Sequence, residues 1–71
     1  MGEYFNENLR WAREQKGLSQ KDVAERIGVA KSTYSLYESG NREPNVQTIK
    51  KIADVLDVSA DELLGIEPEP T

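Results

Sequence analysis

Apolar residues along this chain recur at intervals of three and four between short polar breaks, so the pattern predicts helices rather than strands. Phe5, Leu9 and Ala12 share one face of a first helix that begins near Phe5 or Asn6 and runs to Lys16, with Gly17 as its stop. A second helix opens at Ser19, whose hydroxyl caps it while Asp22, three residues on, reaches back. Leu18 and Val23 are spaced for a hydrophobic staple. Its inward stripe is Val23, Ala24 and Ile27, and Gly28 then turns the chain through positive φ. After Val29 and Ala30, a third helix places Tyr34 and Tyr37 in the core with their hydroxyls reaching the surface, and Gly40 ends it. Residues 41–45, NREPN, have no periodicity and contain a proline, which marks a loop.

Asn45 caps a fourth, amphipathic helix whose inward positions are Val46, Ile49, Ile52, Ala53 and Leu56. Lys50 and Lys51 lie on its wet side, and it ends at Asp57. Ser59 with Glu62 reads as another capping box and Val58 with Leu63 as another staple, opening a last helix of about one and a half turns. Leu63 and Leu64 anchor it, and Gly65 closes it. The expected fold class is all-α, a compact five-helix bundle. At 71 residues the chain is long enough for one hydrophobic core only. Residues 1–65 are the expected domain, and 66–71, IEPEPT, an acidic, proline-rich tail or linker.

Composition narrows the chemistry. The chain has neither cysteine nor histidine, so zinc sites of the usual kinds and Ser-His or Cys-His nucleophile pairs are excluded, and no metal or cofactor is expected. Asp61 and Glu62 are adjacent and point in different directions on a helix, which leaves no convincing acid-base pair; the chain is not expected to be an enzyme. No stretch approaches the roughly 18 apolar residues of a membrane span, and a soluble, cytoplasmic protein is expected. The net charge of -4 is unevenly spread: -1 over residues 1–15, +3 over 16–51 and -6 over 52–71. The positive segment coincides with the second and third helices and the loop after them.

Two short helices joined by a glycine-containing corner have the layout of a helix-turn-helix, whose second helix enters the DNA major groove. Beyond that layout, LSQKDVAERIGVAKSTYSLYESG (residues 18–40) resembles the helix-turn-helix of phage lambda repressor-like domains, the Cro/cI or xenobiotic-response-element type. PNVQTIKKIADVLDVSADELL (residues 44–64) is similar to that family's last two helices. The resemblance spans roughly Phe5 to Leu64. It implies a sequence-specific transcriptional regulator, a repressor before an activator, that binds double-stranded DNA as a two-fold dimer on palindromic half-sites through its C-terminal helix. Leu64, Ile66 and Trp11 are candidates for the dimer seam.

Carried over position by position, the resemblance makes Lys31, Ser32, Ser35 and Leu36 base readers, with Thr33 on the rim near phosphate. Lys31 would donate to guanine O6 and N7, Ser32 would donate or accept, and Leu36 would offer apolar contact to a thymine methyl. Gln20 resembles the family's phosphate clamp, and Asn41 and Arg42 occupy the loop that touches the DNA backbone in relatives. Arg13 and Glu38 match the family at a structural ion pair tying the first helix to the third. Departures from the family pattern are Ala30, where a Ser or Thr cap is usual, and Asp57, where glycine is usual. Tyr4 and Trp11 share a flank of the first helix, either packed against the C-terminal segment or facing a partner. The competing function is a protein interaction module, antitoxin-like or adaptor, on the same fold, which the acidic total favours.

Overall fold

The computed structural model describes residues 5–65, which form five helices: α1 (Phe5–Gln15), α2 (Gln20–Ile27), α3 (Lys31–Ser39), α4 (Val46–Leu56) and α5 (Ala60–Leu64). Tyr4, Ile66 and the 66–71 segment lie outside the described residues. Each boundary has a local cause. Ser19 Oγ accepts from the Asp22 N–H at 3.0 Å, and the Asp22 carboxylate accepts from the Ser19 N–H at 3.0 Å, a complete capping box. The Ser19 backbone N–H is the main reason that the Asp22 carboxyl titrates below its ordinary range. Asn45 caps α4 through the Thr48 N–H at 2.8 Å. At α5 the box is half made: Ser59 Oγ accepts from the Glu62 N–H at 3.1 Å, and no return bond from the Glu62 carboxylate accompanies it.

The corner between α2 and α3 depends on Gly28. At φ 79° it sends its own N–H to Glu25 O and the Val29 N–H to Ala24 O, satisfying two carbonyls that the helix end would leave bare. Asp57 does the same for α4 at φ 55°, the one non-glycine residue with positive φ among those described. Its carboxylate also lies 3.5 Å from the Lys16 ammonium, an exposed contact that contributes little.

α2 packs on α3 and α4, α1 on α3 and α5, and α4 on α5. The buried cluster draws on every helix: Phe5, Leu9 and Ala12; Val23, Ala24 and Ile27; Tyr34 and Tyr37; Ile49, Ile52, Ala53 and Leu56; and Leu63. Fully burying each large member contributes about 1.5–3 kcal/mol, which is how helices this short persist. The two tyrosine rings meet edge to face, with centroids 6.2 Å apart. From α1, Asn8 Nδ2 donates to Leu63 O at 3.2 Å and fastens the end of α5.

Two expectations need correction, and one open alternative is settled. Val46 is 67% exposed: it is the first residue of α4, one turn beyond the part of the stripe that α2 and α5 cover. Trp11, left open between packing and facing a partner, is 63% exposed among the charged groups Glu7, Arg10 and Glu14 of α1. The Tyr34 hydroxyl is buried without a hydrogen-bond partner, because the ring lies too deep for its tip to reach water.

Candidate nucleic-acid interface

α3 presents two arcs. At 100° per residue, Tyr34 and Tyr37 turn toward the core, Ser32, Ser35 and Leu36 fall on the opposite arc, and Lys31 stands on the flank one turn before Tyr34. Lys31 and Ser32 are exposed, Leu36 is 37% exposed, and Ser35 and Thr33 are half-buried. The result is a ridge with an ammonium at its leading end, hydroxyls in the middle and a short apolar step. Its only acid, Glu38, is turned inward and buried. Asn41 and Arg42 are exposed just beyond the helix, with Glu43 exposed in the same loop. The backbone N–H groups of Asn41 and Arg42 are both used internally, on Leu36 O at 3.0 and 3.2 Å. Asn41 Nδ2 donates to Ser39 Oγ at 2.9 Å. Arg42 thus has the free cationic head of this loop, and the Asn41 amide is partly engaged.

The start of α3 carries no side-chain cap. Ala30 has the extended backbone of a capping residue, φ -68° and ψ 149°, but no oxygen to offer. Lys31 adds a positive charge at the positive end of the helix, which disfavours the free helix and favours an anion nearby.

Behind the ridge lies a polar knot. Arg13 of α1 meets Glu38 of α3 fork to fork, with Nε to Oε2 at 2.6 Å and Nη2 to Oε1 at 3.1 Å. Its remaining nitrogen, Nη1, donates to Leu18 O at 2.8 Å, at the entry to α2. One guanidinium therefore connects three helices and sets how α2 and α3 stand to each other. The Glu38 side chain is 3% exposed and that of Arg13 13%. Burial pushes the Glu38 carboxyl up, but the donors of Arg13 and Gln20, with the Tyr34 hydroxyl nearby, outweigh it and hold the group below its ordinary value. The hydrogen bond to Glu38 raises Arg13 in turn. Burial, reinforced by Glu38, drives the Tyr34 phenol far above its usual range, so it stays protonated.

Gln20 belongs to this knot, which its sequence position does not reveal. Its Nε2 donates to Glu38 Oε1 at 3.2 Å, across 18 residues of chain. No local spacing signals that bond; it exists because α2 and α3 close on each other. Among the described residues no cluster of acids is placed to hold a metal ion, and no helix is long and apolar enough to cross a membrane.

A family model described as "Helix-turn-helix" matches residues 9–63. Among curated proteins, the chain is 45% identical over 60 residues to the uncharacterized HTH-type transcriptional regulator YqaE of Bacillus subtilis (strain 168), covering 84% of this chain and 52% of that protein. The chain spans about half the length of the curated relatives it matches. Among solved structures, the restriction-modification controller protein C.AhdI from Aeromonas hydrophila superposes with a TM-score of 0.79 at 37% identity, over 83% of this chain and 89% of that one. SinR, a master regulator for biofilm formation whose structure contains DNA, superposes with a TM-score of 0.78 at 38% identity, over 84% and 97%.

Proposed function

This chain belongs to the helix-turn-helix family, as a lambda repressor-like domain, and from that premise we propose that it binds double-stranded DNA sequence-specifically as a transcriptional regulator. It acts as a repressor, by occupying an operator and without catalysis, in the cytoplasm. The observation that carries this reading is the ridge of α3: exposed along Lys31, Ser32 and Leu36, with its one carboxylate buried behind it. α3 lies in the major groove, where Lys31, Ser32, Ser35 and Leu36 meet base edges and Thr33 the rim. Gln20, Asn41 and Arg42 hold the sugar-phosphate backbone on either side, and so set register without reading sequence.

The domain itself is residues 1–65, and 66–71 are a tail or linker. A positive excess of +3 over residues 16–51 is a modest field for a polyanion. Useful affinity then comes from two copies on palindromic half-sites, spaced about 34–36 Å apart, one turn of the duplex. Half-buried Leu64 and exposed Trp11 are the described apolar groups available to such a seam. Titration with duplex DNA at several salt concentrations tests the proposal: affinity should fall steeply as salt rises. Affinity without a salt slope, or none at low salt, would favour a protein interaction module instead. Selection of bound duplexes from a random pool then identifies the operator.

A further inference from the structure

Gln20 is half-buried at the first position of α2, while Glu38 is sealed off with a side chain 3% exposed. The two meet through Gln20 Nε2 and Glu38 Oε1 at 3.2 Å. We infer that Glu38 is a positioning residue for DNA binding: it accepts one amide hydrogen of Gln20 and so turns the other outward, toward a backbone phosphate. The inference rests on the DNA-binding reading above.

Chemistry dictates which way the amide faces. A glutamine amide offers oxygen on one side and a pair of N–H hydrogens on the other, whereas an ionised carboxylate only accepts. Setting the Gln20 oxygen against Glu38 would oppose two acceptors, so the NH2 group must face inward. One hydrogen is then taken, and its partner, fixed in the same plane, remains for another acceptor. The carboxylate cannot turn away to release it, because Arg13 holds both of its oxygens, at 2.6 and 3.1 Å. Arg13 also ties itself to Leu18 O at 2.8 Å, two residues before Gln20, so the donor and its anchor are held by the same guanidinium. A free glutamine would lose its side-chain freedom on meeting a phosphate; here much of that loss has been taken in folding. Glu38, although it touches no DNA, thereby fixes the plane of the Gln20 amide and the direction in which its second N–H is offered.

The test is a double-mutant cycle on the whole chain: wild type, Gln20→Ala, Glu38→Gln and the pair, each titrated with a mixed-sequence duplex over a salt series and each unfolded with denaturant. Gln20→Ala should lower affinity for every sequence by about tenfold, the loss of one hydrogen bond to a charged group, and leave the slope of log affinity against log salt unchanged, because a neutral amide releases no counterion. Glu38→Gln should lower affinity similarly, because the one oxygen left at position 38 is held by Arg13, so Gln20 loses its acceptor and its amide is no longer fixed toward the phosphate. The pair should lose no more than either alone. A purely structural Glu38 would cost stability while a folded Glu38→Gln kept wild-type affinity; that result, or additive losses, overturns the inference. If Glu38→Gln does not fold, isotope-edited NMR of the wild-type Gln20 amide decides. One hydrogen should exchange slowly in the free protein, and only the other should shift when duplex is added; averaging of the two overturns the inference. Absence of any salt-dependent binding by the wild type removes the DNA-binding reading itself, and this inference with it.

Discussion

At its start α3 is bare: Ala30 supplies no cap, Lys31 adds charge at the unfavourable end, and Lys31 and Ser32 face open solvent. At its end, six residues on from Ser32, everything is engaged. Glu38 is held by Arg13 and Gln20, Tyr37 is buried, and Gly40 at φ 82° closes the helix with its N–H on Tyr37 O. The stability of this short helix is thus concentrated in one end, and the other is left unsatisfied where a ligand would meet it. Binding surfaces require groups that the folded protein does not already use, so a helix that reads DNA benefits from being anchored at the opposite end.

The largest expected effect comes from breaking the anchor. Arg13→Met leaves Glu38 buried without its partner, and denaturant unfolding at neutral pH should show a loss of about 3–5 kcal/mol. The pH dependence should also reverse. In the wild type the folded carboxyl titrates below its unfolded value of 4.5, so its contribution is complete above that pH and is lost as pH falls through the lower folded value. Asp22 adds to the same acid limb. In Arg13→Met, burial raises Glu38 instead, so the deficit relative to wild type should shrink on acidification. A deficit of the same size at every pH would mean that the anchor is packing rather than charge.

Lys31→Ala probes the open end and should do the opposite. Stability should be unchanged or slightly higher, while discrimination at one base pair falls by about 1–3 kcal/mol, read from competition between single-base variants of the selected operator. Equal weakening on cognate and scrambled duplexes would reassign Lys31 to phosphate. Tyr34→Phe, between the two ends, removes a buried hydroxyl that has no partner and should stabilise by about 1 kcal/mol. A loss instead would indicate that the hydroxyl serves the Glu38 knot. Smallest is Ala30→Ser, which supplies the missing cap oxygen and should raise the midpoint of unfolding by the equivalent of about 0.5–1 kcal/mol. If it also weakens DNA binding, the vacant helix start is where a phosphate sits.

Local signals were strong along most of the chain. Ser19 with Asp22, Gly28, Gly40, Asn45 and Asp57 each mark a helix end that the structure has, because capping depends on atoms within a few residues. The stripes of α1 and α2 predicted their buried faces residue for residue. Val46 shows where periodicity stops being sufficient: it continues the stripe of α4, yet at the first position of the helix it stays 67% exposed while Ile49, three residues on, is buried. Glu62 shows the same for a motif, since half of its box forms and half does not.

The outward arc of α3 was legible because it lies opposite two tyrosines, and the part assigned to each of its residues came from family likeness rather than from spacing. Trp11 was left open between burial and exposure, and it is exposed. By itself the sequence determined the helices, their ends and most of the inward faces, which follow from steric and hydrogen-bonding preferences over a few residues. Only the tertiary structure decided that the Gln20 amide is held by Glu38, that Arg13 reaches Leu18 as well as Glu38, and that the Tyr34 hydroxyl is sealed. Those contacts join residues distant along the chain, and they are created by how helices close upon one another, which no local preference encodes.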